Sequence, residues 1–193
     1  IMNNSSFAIT GDINLPSNFT LENSGTITGN KLTARSAATI INNNVMILNE
    51  IDLTNPTVYN NCSMEAKNLF YANGVNMTFE KGYLKAPKME SINGTVKLNN
   101  GSMLEATSLL SLSGTKFTAS GANPSLIKAS TVTGQGFTYD GKIAIESNNH
   151  VIWQDWGNKN ANYHAINGAH LAAIGESKVY IEVCTGIKNE GNG

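Results

Sequence analysis

Apolar residues recur along this chain in short alternating runs, and between residues 64 and 115 the runs keep a fixed period. Met64-Glu65-Ala66, Leu84-Lys85-Ala86 and Leu104-Glu105-Ala106 stand twenty residues apart. Each is followed by a turn, Asn73-Gly74-Val75, Asn93-Gly94-Thr95 and Ser113-Gly114-Thr115, with the glycines again spaced by twenty. An apolar pair recurs between the two landmarks: Leu69 with Ala72, Met89 with Ile92, Leu109 with Leu112. Twenty residues is too short for a repeat of two helices but suits a coil of short strands. One such coil cannot bury its own apolar positions. Stacking coils about 4.8 Å apart buries them and pairs each strand with those above and below. A glycine in each coil supplies the corner, where positive φ carries no Cβ strain.

After each glycine the chain alternates as a half-buried strand does. Met77 and Phe79 are the apolar positions of one coil, and Val96 and Leu98 those of the next. The parity slips by one residue between these coils, which predicts a bulge or a shifted corner. Ile127-Lys128-Ala129 reads as the following coil at a spacing of 23, with the loop at Asn123-Pro124 absorbing the extra residues. Upstream, Ser24-Gly25-Thr26-Ile27-Thr28 repeats the corner and strand, and Leu32-Thr33-Ala34 repeats the tripeptide. An ordinary β-sandwich also gives frequent short strands. It gives no reason for glycines in register.

The expected fold is therefore all-β: a right-handed β-solenoid (β-helix) of about 20-residue coils over residues 1–142, its handedness read from general chirality. About seven coils would measure roughly 34 Å. Residues 143–193 hold both tryptophans and all three histidines. This stretch reads as a C-terminal cap or an appended small lobe, because a bare last coil leaves strand edges in water. Ile143-Ala144-Ile145 and Val151-Ile152-Trp153 read as strands around a Ser147-Asn148-Asn149 turn. Tyr163 to Ile174 reads as a short helix weakened by Gly168, and Lys178 to Val183 as a last strand.

Composition narrows the function. Only 14% of the 193 residues are charged, the net charge is -1, and 28 residues are asparagine. Stacked coils can hydrogen-bond through asparagine ladders. No basic stripe exists to replace phosphate counterions, so nucleic acid is not an expected partner. Neither a polybasic segment nor a run of about 20 apolar residues points to a membrane. The chain opens on Ile1, which reads as a trimmed or mature fragment without its leader. Cys62 and Cys184 read by default as two buried free thiols, with a disulfide as the alternative.

Candidate chemistry is sparse. His164 and His170 are six apart and His150 precedes them by fourteen, which is not a metal-ligand spacing. Glu65, Lys85, Glu105 and Lys128 share one coil position and would stack as a column of alternating charge, a structural pairing rather than a catalytic group. No nucleophile elbow and no phosphate-binding loop occurs. No catalytic residue, metal ligand or cofactor site is expected. Trp153, Trp156 and Tyr163 cluster within eleven residues. Exposed rings there could stack on a sugar or grip a protein, while the structural alternative packs Trp153 into the core and uses Trp156 to pin the loop.

The phrase Leu84-Lys85-Ala86-Pro87-Lys88-Met89-Glu90-Ser91-Ile92-Asn93-Gly94-Thr95-Val96-Lys97-Leu98, with its Asn99-Asn100-Gly101 corner, resembles the unit of leucine-rich-repeat-like β-solenoids. These include receptor L domains and repeat-bearing surface proteins of bacteria, and the match spans about residues 64–130. The resemblance implies an extracellular, often adhesive role and brings no catalytic residues. The expectation is a non-enzymatic, secreted or cell-surface binding module that contacts a protein or carbohydrate polymer at the cell exterior. The rivals are a polysaccharide lyase or hydrolase built on a β-helix, and a purely structural stalk.

Overall fold

A computed structural model describes the backbone of residues 1–135, 138–153, 163–166, 170–182 and 187–190, and side chains up to 134 and at 141–143 and 146. The chain is a β-solenoid of parallel strands, about seven turns of roughly 19 residues, with no helix among the described residues. Each turn gives one short strand to a first sheet and one long strand to a second. The short strands include Thr20–Asn23, Thr39–Asn42, Thr57–Asn60, Asn76–Glu80, Thr95–Asn99 and Lys116–Ser120. The long ones include Thr26–Ala34, Val45–Thr54, Ser63–Asn73, Tyr83–Ile92, Met103–Ser113 and Ser125–Gln135.

The long strands bend in the middle, and their burial shows how. In Ser63–Asn73 the inward positions are Met64 and Ala66, then Phe70 and Ala72, with exposed Lys67 and Asn68 between them. Asn68, which the alternation would place inward, is exposed instead, so the inward run is interrupted and the strand turns a corner there. Inward residues stack into columns. Ile27, Met46, Met64, Leu84, Leu104 and Ile127 form one, and Leu32, Ile51, Phe70, Met89, Leu110 and Val132 another. All twelve are buried. Removal of such columns from water is what holds neighbouring coils together, at about 1.5–3 kcal/mol per large side chain.

The parity slip has a location. Between Ala86 and Met89 the strand Tyr83–Ile92 has only Pro87 and Lys88, whereas its neighbours have three residues at that corner. The coil is one residue short. Lys88 therefore lies beside Leu69 and Leu109 on the outer side, and Met89 beside Phe70 and Leu110 in the core. This corrects the recurring pair read from the sequence: Met89 does not align with Leu69, nor Ile92 with Ala72. The glycine register shifts by the same residue. The corner after each long strand is left-handed at Ala37, Asn55, Gly74, Asn93 and Gly114, with φ between 50° and 62°. Gly74 and Gly114 share that corner with Asn93, and Gly94 falls one step further on.

Two upstream assignments also move. Ser24-Gly25 lies at the other kind of corner, between a short and a long strand. Leu32-Thr33-Ala34 aligns with Ile51-Asp52-Leu53 and then Phe70-Tyr71-Ala72, so it occupies the second half of the coil rather than the tripeptide position. The coil at Ile127 follows Leu104 in register as expected, with the insertion exposed at 121–124.

The sheets continue past residue 142. Ile143–Trp153 is one long strand paired along Ser125–Gln135, not two strands around a turn. The helix expected over Tyr163 to Ile174 is not formed. Tyr163–Ile166 pairs with Thr138–Asp140, and His170–Glu182 pairs with Ile143–Trp153. Parallel neighbours offer partners to the backbone of these segments, and that pairing overrides a helix propensity which glycine already weakens. Residues 167–169 and 183 lie outside the described residues.

Asparagine completes the interior. Asn23, Asn42 and Asn60 are fully buried at the inner end of consecutive short strands, and half-buried Asn3 precedes them. Asn3 donates to Asn23, Asn23 to Asn42 and Asn42 to Asn60, each from Nδ2 to Oδ1 at 2.8 Å. The second amide hydrogen of each goes to a backbone carbonyl, for example Val45 and Ser63. At the next coil Phe79 takes the inward position, and the ladder gives way to apolar packing.

Candidate binding face

The outer side of the short-strand sheet is flat, and alternation decides what it shows. With Leu21, Ile40, Val58, Met77, Val96 and Phe117 pointing inward, the residues on either side of each point out. One outward column runs Thr20, Thr39, Thr57, Asn76, Thr95, Lys116. The other runs Glu22, Ile41, Tyr59, Thr78, Lys97, Thr118. Neighbours in a column repeat at about 4.8 Å, the strand separation. Tyr59 is 42% exposed near the middle of this face, between Ile41 and Thr78. The other exposed large apolar side chains among the described residues, Ile1, Met2, Phe7 and Phe19, belong to the amino-terminal end.

A second group lies on the first half of the long-strand sheet. Glu65, Lys85, Glu105, Lys128 and Glu146 line up on adjacent strands, one coil longer than the sequence suggested. Glu65 and Glu105 are two strands apart, about 9.6 Å by strand spacing, with Lys85 between them. Tyr83 donates its hydroxyl hydrogen to Glu105. Burial, then that hydrogen bond and the charges of Glu105 and Glu65, push the Tyr83 phenol above its usual range. The column thus holds a carboxylate occupied by a phenol and an ammonium set between two acids. Cross-strand pairing of this kind stabilises a sheet by about 0.2–1 kcal/mol per pair.

Ion pairs link the second halves of two earlier long strands, Thr26–Ala34 and Val45–Thr54. Lys31 reaches Glu50 at 3.3 Å and Asp52 at 3.5 Å, and Arg35 reaches Asp52 at 3.0 Å. The Arg35 hydrogen bond holds the Asp52 carboxyl below its usual range, against the opposing effect of burial. The bond from Lys31 to Glu50 raises the lysine. These groups are partly exposed and act on stability only weakly.

Of the aromatic residues singled out from sequence, Trp153 ends the strand Ile143–Trp153 and Tyr163 begins Tyr163–Ile166. Their side chains, and Trp156 altogether, lie outside the described residues. They enter different sheets. Sequence reasoning passed over Tyr59, although Thr57-Val58-Tyr59-Asn60 carries the signal: an aromatic on the polar parity of a strand. Cys62 is a free thiol, half-buried rather than buried, because it sits at an outer corner. Cys184 lies outside the described residues. Among the described residues no group of three or more His, Cys, Asp and Glu is placed to hold a metal ion, and no helix is long and apolar enough to cross a membrane. Comparison with protein-family models, curated proteins and solved structures finds no match to this chain.

Proposed function

We propose that this β-solenoid is a secreted or cell-surface binding module, without catalytic activity, that holds an extended polymer or protein against the outer face of its short-strand sheet. The observation that carries this reading is the exposed ring of Tyr59, set between Ile41 and Thr78 and beside the outward column Thr39, Thr57, Asn76. A planar ring flanked by hydroxyl and amide groups suits the apolar face and hydroxyls of a sugar. Positions repeating at about 4.8 Å give a linear chain many equivalent weak contacts rather than one deep pocket. The resemblance to leucine-rich-repeat-like surface proteins supports an adhesive role at the cell exterior.

The test is a glycan and extracellular-matrix array probed with the wild type, Tyr59→Ala and Trp156→Ala. Retained folding with binding lost at least about tenfold in Tyr59→Ala fits the removal of one stacking ring. Binding lost only in Trp156→Ala would move the site to the carboxyl-terminal aromatics. Absence of binding to every surface would favour the stalk, and cleavage of a polysaccharide abolished by Glu65→Gln would favour the enzyme.

A further inference from the structure

Three asparagine-glycine pairs lie among the described residues: Asn73-Gly74, Asn93-Gly94 and Asn100-Gly101. With no Cβ on the following residue, the glycine nitrogen can approach the asparagine side-chain carbon, provided both groups are free to move. The fold pins two of the three pairs. The Gly74 N–H donates to the Ile92 carbonyl at 2.8 Å, and Asn73 ends the strand Ser63–Asn73 with its own carbonyl accepting from the Asn55 N–H at 2.8 Å. The Asn100 amide donates from Nδ2 to Glu80 at 3.0 Å, and its backbone N–H donates to the Ser120 carbonyl at 2.9 Å. In each of these pairs one of the two reacting groups is already engaged.

Asn93-Gly94 is held around the reacting atoms but not at them. Asn93 is an exposed corner residue between the strands Tyr83–Ile92 and Thr95–Asn99, with a left-handed φ of 50°. Its N–H donates to the Ser113 carbonyl at 2.7 Å, and the Gly94 carbonyl accepts from the Lys116 N–H at 2.9 Å. Neither the Asn93 side-chain amide nor the Gly94 N–H has a hydrogen-bond partner among the described residues. The side-chain oxygen only fills the space beside Gly114. Groups without such bonds move at low cost, and local reactivity follows the cost of local opening.

We propose that Asn93 is a site of spontaneous modification, at which the chain converts its own side-chain amide to a carboxylate with water as the only co-reactant. The Gly94 backbone nitrogen gives its proton to solvent base and attacks Asn93 Cγ. The N–Cγ bond forms, the Cγ–Nδ2 bond breaks, and Nδ2 leaves as ammonia after taking a proton from water. Water then opens the cyclic imide. Cleavage at Cγ gives aspartate, and cleavage at the backbone carbonyl gives isoaspartate, with the main chain rerouted through Cγ and one carbon longer. Either product sets a negative charge beside Gly114. The isoaspartate also lengthens a corner whose ends are fixed at Ser113 and Lys116, so it loosens the pairing of Thr95–Asn99 with Lys116–Ser120. The exposed corner thus carries a slow chemical mark of the molecule's age.

The full chain is incubated folded and in urea, and residues 73, 93 and 100 are read separately by peptide mass mapping with isoaspartate methylation. In the folded chain Asn93 should convert at least about fivefold faster than Asn73 or Asn100, the rate equivalent of one net hydrogen bond. In urea the three should converge, since each is followed by glycine. Glu80→Ala, which releases the Asn100 amide, should raise conversion at 100 and leave 93 unchanged. Conversion at 93 no faster than at 73 or 100 in the folded chain would overturn the proposal. So would a preference for 93 that persists in urea, which would assign it to local sequence. An unchanged rate at 100 in Glu80→Ala would overturn it too, because hydrogen bonds would then not be what selects the site.

Discussion

Asn93 stands next to Gly114 in the left-handed corner column, and its side-chain oxygen fills the space that a Cβ on Gly114 would need. The same relation joins Asn55 to Gly74. The corner thus alternates a residue that projects with one that yields, and the glycine is required twice over, for φ and for space. Gly74→Ala and Gly114→Ala should each cost about 1–3 kcal/mol in urea unfolding. Asn93→Gly should change stability by no more than about 1 kcal/mol, since glycine adopts the same φ freely. A Gly114→Ala change made in the Asn93→Gly background should cost less than it does alone, because the steric part is gone and the backbone part remains. Equal costs in the two backgrounds would show that the corner is governed by φ alone.

The ladder makes Asn42, a fully buried interior rung, more sensitive than Asn60 at its end. Asn42→Leu orphans the donor of Asn23, the acceptor of Asn60 and the Ser63 carbonyl. Asn60→Leu, at the end of the ladder, orphans the Asn42 donor and the Tyr83 carbonyl. At about 1–3 kcal/mol for each buried group left unpaired, Asn42→Leu should be the more damaging, and the triple change at 23, 42 and 60 should cost less than the sum of the singles. Denaturant midpoints of the wild type, the three single variants and the triple variant decide this. A strictly additive series would mean that the rungs act independently.

How far the sequence announced this molecule follows from what its period could encode. A repeat of twenty is a statement about spacing, so the solenoid, the core columns from Met64 to Ile127 and the alternating Glu65-Lys85-Glu105-Lys128 column were legible. Asparagine content pointed to a ladder, but the choice of Asn23, Asn42 and Asn60 among 28 was not readable, because the amino-terminal coils differ in length and carry no tripeptide landmark. The same irregularity hid the pairs Lys31–Glu50 and Arg35–Asp52. Pro87 misled differently: the corner it shortens lies upstream of the glycine, so equal spacing of Gly74 and Gly94 looked like register when it was compensation. Tyr59 was visible in the pattern, yet it took its register partners Ile41 and Thr78, on the coils before and after, to make it part of a face.

Acid should weaken the Lys31–Asp52–Arg35 group. The Asp52 carboxyl titrates lower in the folded chain than in the unfolded one, held down first by the Arg35 hydrogen bond. Its contribution is therefore present above the unfolded value of about 3.9 and disappears as pH falls through the folded value. The size should stay below about 1 kcal/mol, because all three side chains are partly exposed. Thermal midpoints between about pH 2 and 7 should place the wild type above Asp52→Asn at neutral pH, with the gap closing below about pH 4 and shrinking in molar salt. A gap independent of pH would assign the difference to packing.

Tyr83 should behave in the opposite direction at alkaline pH. Burial, the hydrogen bond to Glu105 and the charges of Glu105 and Glu65 raise its ionisation above that of a free phenol. A raised folded value means that the stabilising contribution is fully present below the unfolded value of about 10 and is lost as pH rises through the folded one. In a titration followed by tyrosinate absorbance, the Tyr83 step should come late, and Tyr83→Phe should remove it. Glu105→Gln should bring the step to lower pH, since it takes away both the acceptor charge and its repulsion of the phenolate, while leaving the ring half-buried as before. If Glu105→Gln leaves the late step where it was, burial alone sets it. The Glu105 contact would then be an outer-face hydrogen bond without electrostatic consequence.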